Sequence, residues 1–207
     1  MSKIKIAVLI SGGGSNLQAL IDSIEKGDIA AEIKLVISNK VDAYGLTRAS
    51  NHHIKTVVLD RHTYPNLEER DSKLLEILQK EEIDLVVLAG YLAILPSSFI
   101  ETFSNRIINI HPSLLPSFGG KGYYGLRVHE EVIKRGVKVT GATVHFVNEE
   151  TDGGPIILQE SVGVEFEDTA EAIQKKVLKI EHQLLPLAVK LFAEGKIEVV
   201  GNRVKLL

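Results

Sequence analysis

Asn109-Ile110-His111-Pro112 and Asp152-Gly153-Gly154-Pro155 are the two stretches whose residue types could do acid–base chemistry. Asn109 and His111 stand two apart at the end of a short apolar run, Ile107 to Ile110. If that run is a strand continuing through His111, alternation puts both side chains on the same side. They would then emerge at the carboxyl edge of a sheet, where open α/β folds hold ligands. Pro112 restricts His111 to extended backbone. An amide donor beside an imidazole can stabilise a developing oxyanion. A carboxylate such as Asp152 next to that ring favours its charged form, which can also relay protons. The same residues have plainer readings: a histidine at a strand end is frequently structural, and Asp-Gly is a common turn dipeptide. Sequence order alone does not bring Asp152 to His111.

A second site lies near the start. Ser11-Gly12-Gly13-Gly14-Ser15-Asn16 separates an apolar run, Ile4 to Ile10, from residues at helical spacing, Leu17, Leu20, Ile21 and Ile24. Glycines there let backbone approach a ligand, and the following helix points free N–H groups and its positive end at an anion. Ser15 or Asn16 can cap the helix or donate to phosphate oxygens. A tight βα turn with an ordinary cap is the alternative. A dinucleotide fingerprint fails, since Leu17 occupies the third glycine position and Ser38-Asn39-Lys40, without an acidic residue, closes the next strand. Both failures favour a phosphate monoester over NAD. Gly119-Gly120-Lys121-Gly122 is not a P-loop either; it reads as a flexible loop that could cover a site.

The elements that must position these residues follow from periodicity. Short apolar runs at 4–10, 33–37, 54–59, 83–89 and 107–110 read as strands, nearly continuous as in a sheet buried on both faces. Helical spacing recurs at Leu67, Leu74, Leu75 and Leu78. This rhythm predicts a doubly wound, mostly parallel α/β sheet with right-handed crossovers. The C-terminal half predicts antiparallel additions: strands at 139–147 and 155–162 joined by a turn, a long amphipathic helix at 170–193 interrupted near Pro186, and a terminal hairpin around Gly201-Asn202. One domain over 1–207 is expected, with a phosphate-binding half to about residue 105 and a catalytic half from about 106.

Composition sets limits. The chain has 207 residues, 44% hydrophobic and 25% charged, with net charge −3, seven His and no Cys. Disulfides, thiolate metal sites and cysteine nucleophiles are excluded, and the charge balance gives no case for sequence-independent nucleic-acid binding. No segment approaches the ~20 apolar residues of a membrane helix and no secretory cleavage pattern follows the first strand. A cytoplasmic protein acting on small molecules, without membrane or nucleic-acid partners, is the expectation.

Leu9-Ile10-Ser11-Gly12-Gly13-Gly14-Ser15-Asn16-Leu17-Gln18, Asn109-Ile110-His111-Pro112-Ser113-Leu114-Leu115-Pro116, Gly141-Ala142-Thr143-Val144-His145-Phe146-Val147 and Asp152-Gly153-Gly154-Pro155 resemble, in order and spacing, the phosphoribosylglycinamide formyltransferase family, over nearly the whole chain. The resemblance implies a Rossmann-like formyltransferase fold and direct formyl transfer from 10-formyltetrahydrofolate, as co-substrate and with no metal, to phosphoribosylglycinamide in purine (IMP) biosynthesis. It implies catalytic roles for Asn109, His111 and Asp152. It assigns the substrate phosphate to Gly14, Ser15 and Asn16, and the glycinamide to Glu181. Leu92, Ala93, Ile94 and Leu95, with Asn109, would line the folate pocket, where apolar side chains suit a flat pterin. Two departures stand out: Ala93 occupies a position where the family often has Arg, and the family often has a basic residue near Leu67. Arg70 or Lys73 would compensate for the second. A monomer or homodimer is expected. The alternatives are a formyltetrahydrofolate hydrolase or tRNA-directed formyltransferase, each expected to need a further domain, and a non-catalytic Rossmann-like nucleotide-binding protein.

Overall fold

The computed structural model describes residues 3–207 and divides into two compact units, one ending at Ile108 and one beginning at Asn109. The division falls inside the fifth strand.

The first unit is built on β1 (Ile4–Ile10), β2 (Ala31–Ser38), β3 (Lys55–Val58) and β4 (Leu85–Leu88). All pair in parallel in the order β3-β2-β1-β4. Ile6 to Ile10, Leu35 to Ile37 and Leu85 to Val87 have almost no solvent exposure, which explains their unbroken apolar runs. Strand order reverses at β1: β2 and β3 lie to one side and β4 to the other. Right-handed crossovers place α1 (Ser15–Glu25) and α2 (Tyr44–Asn51) on one face and α3 (Leu67–Lys80) on the other. The carboxyl ends of β1 and β4 therefore flank the switch point where such sheets bind ligands. A short α4 (Ser97–Thr102) follows β4.

In the second unit, β6 (Val139–Phe146) pairs antiparallel with β7 (Ile156–Gly163), after β5 (Ile107–His111) and α5 (Leu126–Lys134). The expected antiparallel pair is present, although nine residues, not a tight turn, connect it. β8 (Ile197–Val200) and β9 (Arg203–Leu206) form the terminal hairpin. The expected break at Pro186 does not occur: α6 (Ala170–Ala193) runs through it. A proline inside a helix removes a hydrogen bond and costs about 3 kcal/mol. Burial of Leu184, Leu185, Ala188 and Val189 on both sides of Pro186 offsets that cost, and α6 packs on β6, β7 and α5.

The predicted fold class, mostly parallel α/β with antiparallel additions toward the C-terminus, is the one observed. α2, α4 and α5 are elements that the periodicity did not reveal.

Candidate active site

β5 continues through His111, as the reading of Asn109 and His111 required, and His111 is buried. Asp152 sits in the β6–β7 connection with left-handed backbone, φ 57°, inside a turn closed by the Gly153 amide on the Glu150 carbonyl. It is therefore a turn residue, and it also reaches the histidine: His111 Nδ1 lies 3.5 Å from Asp152 Oδ2. The other ring nitrogen, Nε2, is 2.8 Å from the Phe118 carbonyl. A carbonyl only accepts, so Nε2 carries a proton. The Gly120 amide donates to Asp152 Oδ2 at 2.8 Å. The glycine-rich loop thus lies against both members of the pair.

The strands also bring in a residue to which the sequence reading gave no role. Asn109 Nδ2 is 3.1 Å from His145 Nε2, and His145 Nδ1 is 2.8 Å from the Phe146 carbonyl. That carbonyl fixes the proton on Nδ1. Burial, the largest cause, pushes the His145 pKa down; the Phe146 carbonyl and Asp152 oppose this, and His111 adds to it. The neutral ring then presents a lone pair at Nε2, which accepts from the Asn109 amide. That bond assigns the amide orientation and leaves the second N–H of Asn109 for another acceptor. The signal was in the sequence, in the Val144-His145-Phe146 strand motif, but a histidine on a buried strand shows no partner until its neighbours are known.

His129, on α5, is also buried, and its Nδ1 has no hydrogen-bond partner among the described residues. Burial, reinforced by His111, lowers its pKa from 6.5 to about 4. His129 and His145 thus both lie within electrostatic reach of His111. The depression has a sign. Between pH 6.5 and about 4 the unfolded chain takes up a proton that the folded one refuses, so this contribution to stability is complete above pH 6.5 and is lost as pH falls toward 4. The loss approaches roughly 3 kcal/mol. Denaturant unfolding across this range will show a shallower pH slope for His129→Gln than for the wild type; equal slopes would refute the burial effect.

Around these groups, Thr143 Oγ1 donates to the Ser113 carbonyl (2.6 Å) and accepts from the Leu115 amide (3.1 Å) and from Gln159 Nε2 (3.0 Å). This holds the Pro112–Pro116 segment on β6, immediately after His111. Glu181 is buried on α6 in the same unit.

In the first unit, the Ser11–Asn16 turn joins β1 to α1. The N-cap of α1 is Gly14, whose φ is 70° and which supplies no side-chain cap, so neither Ser15 nor Asn16 is the cap residue. The three glycine carbonyls are all occupied by protein donors. Gly12 accepts from the Gly45 amide (3.0 Å), Gly13 from Arg48 Nε (2.8 Å) and Gly14 from the Gln18 amide (2.9 Å). A trans peptide points its N–H opposite to its carbonyl, so the amides of Gly13, Gly14 and Ser15 turn the other way. A side chain at Gly14 would come within 2.7 Å of the Gly45 Cα, whereas the space beside Gly12 and Gly13 is open. Ser11 Oγ donates to Asn39 Oδ1 and accepts from the Leu92 amide, tying the turn to the Leu92–Leu95 segment. There Leu92 and Ile94 are exposed, Ala93 is half-buried and Leu95 is buried. Arg70 is bonded to Asp71, and Lys73 to Glu76, so both cations expected to compensate for Leu67 already have carboxylate partners.

A family model described as formyl transferase matches residues 4–189. The chain belongs to the formyl transferase family. It is 46% identical to a phosphoribosylglycinamide formyltransferase of Haemophilus influenzae over 96% of this chain and 91% of that protein. The crystal structure of glycinamide ribonucleotide transformylase 1 from Symbiobacterium toebii superposes with a TM-score of 0.93, at 44% identity, covering 99% of this chain and 94% of that one. A formyltetrahydrofolate deformylase from Pseudomonas syringae pv. tomato shares the fold of this formyl transferase, with a TM-score of 0.91. It is only 28% identical, and this chain covers 66% of it. Among the described residues no helix is long and apolar enough to cross a membrane.

Proposed function

We propose that this chain transfers the formyl group of 10-formyltetrahydrofolate to the amine of phosphoribosylglycinamide. The observation that carries the reading is the grouping of Asn109, His111 and Asp152 with His145, in a chain whose full-length relatives bear that activity in their names.

The amine nitrogen attacks the formyl carbon, and a carbon–nitrogen bond forms as the carbonyl π pair moves onto oxygen. The free N–H of Asn109 and the Nε2–H of His111 donate to that oxyanion, which takes the place held by the Phe118 carbonyl. Asp152 faces Nδ1 and supports the charged ring. The proton lost by the amine passes, through water, to the folate nitrogen. The oxyanion pair then re-forms the carbonyl as the carbon–nitrogen bond to folate breaks, leaving tetrahydrofolate and the N-formylated amine. In this reading Gly14, Ser15 and Asn16 hold the phosphate and Glu181 the glycinamide, while Leu92–Leu95 contributes an apolar surface to the folate.

Incubation with formyl-folate tests this against the hydrolytic alternative. Formyl loss from the folate will require phosphoribosylglycinamide and will match formylated product one to one. Formate released at the same rate without the amine would establish a hydrolase instead.

A further inference from the structure

We infer that Arg48 is a positioning residue for phosphate binding, acting through the backbone of the glycine turn; this rests on the proposed assignment of that turn to the substrate phosphate. The peptide between Gly13 and Gly14 carries no side chain on either flank to resist its rotation. Both residues are glycines, the space beside Gly13 is open, and Gly14 has φ 70°. Rotation of that peptide is sterically cheap, and it would exchange an N–H facing the anion for a carbonyl oxygen that repels it. The Arg48 side chain opposes the rotation by donating Nε–H to the Gly13 carbonyl at 2.8 Å.

Arg48 is itself held from three sides. Its Nη1 donates to Gln18 Oε1 at 3.3 Å. The Gln18 amide nitrogen is in turn 2.9 Å from Asp22 Oδ1 and 3.1 Å from His52 Nε2, which fixes Oε1 toward the arginine. The guanidinium carbon lies over the Tyr44 ring, 5.0 Å from its centre. Its backbone comes from α2, the helix that also supplies the Gly45 amide to the Gly12 carbonyl. One short helix thus turns two successive carbonyls of the turn away from the anion. A planar fork that bonds a carbonyl with one edge, bonds an amide oxygen with another and stacks on a ring is not reproduced by lysine.

The test compares KM and kcat of Arg48→Lys and Arg48→Gln for phosphoribosylglycinamide and for the same compound lacking its phosphate. Both variants are expected to raise KM for the phosphorylated substrate about tenfold, the scale of one hydrogen bond involving a charged group. kcat and the KM of the phosphate-free compound are expected to stay near wild type. A wild-type KM in Arg48→Lys would overturn the inference in favour of through-space charge. Equal weakening of both substrates, with a lowered melting temperature, would overturn it in favour of a general structural role. Ser15→Asp, which places a carboxylate in the turn, separates the two levels. Phosphate-dependent loss in Ser15→Asp with wild-type KM in both Arg48 variants rejects the role of Arg48 alone. A wild-type KM in Ser15→Asp as well removes the turn from phosphate binding, and the Arg48 inference with it.

Discussion

On the proposed mechanism, His111→Ala is expected to lower kcat for formyl transfer by about 100- to 1000-fold, and Asn109→Ala by a similar factor, the range found when a single oxyanion donor is removed from a preorganised site. In that mechanism both donors serve one developing charge, so the double variant is expected to fall short of the product of the two losses. KM for either substrate moves much less, because the bond strengthens as charge builds on oxygen and contributes little before that. Steady-state turnover with saturating substrates measures this, and thermal melting of each variant checks that the loss is not unfolding. His111→Ala with near wild-type turnover would remove the oxyanion role. A loss carried wholly by KM would turn Asn109 and His111 into binding groups.

How far the sequence carried the reading depended on side-chain size and on distance along the chain. β1, β2 and β4 are buried on both faces, so their runs of Ile, Val and Leu were plain. α2 was not, because its buried positions are Gly45 and Ala49, which leave no apolar stripe. α5 was hidden for a related reason: one of its three buried residues is His129, a polar side chain on the apolar face. α4 has six residues, too few to show a period. Pro186 pointed to a break because local propensity is all that a proline reports, whereas the burial that outweighs it comes from tertiary packing. Within the candidate site, Asn109 and His111 were legible as a pair through strand alternation alone. Their connections to His145, to Phe118 and to Asp152 join residues up to 41 positions apart, measured from His111 to Asp152, and are set by the tertiary fold alone.

Those connections make the geometry of Asn109 depend on a glycine that touches no reacting atom. Gly154 is buried, and a methyl group there would overlap the Phe146 carbonyl oxygen far inside van der Waals contact, with the Asn148 amide nitrogen at 3.3 Å. The obstacle is backbone, which cannot rotate aside, and the Phe146 amide is already bonded to the Pro155 carbonyl. Gly154→Ala must therefore displace the carbonyl that holds the proton on His145 Nδ1. Released from it, His145 no longer presents a fixed lone pair to Asn109 Nδ2, and the amide is free to turn its oxygen toward the oxyanion site. The expected result is a stability loss of about 3 kcal/mol from forced packing and a broken buried hydrogen bond. A fall in kcat of at least about tenfold should accompany it, persisting at temperatures where the variant is fully folded. Gly153→Ala is the matched comparison, since its methyl would meet only the flexible Glu150 side chain, and its losses should be much smaller. If Gly154→Ala is destabilised yet keeps its kcat, His145 does not orient Asn109. If it keeps both, the Phe146 carbonyl is not held where the His145 tautomer requires it.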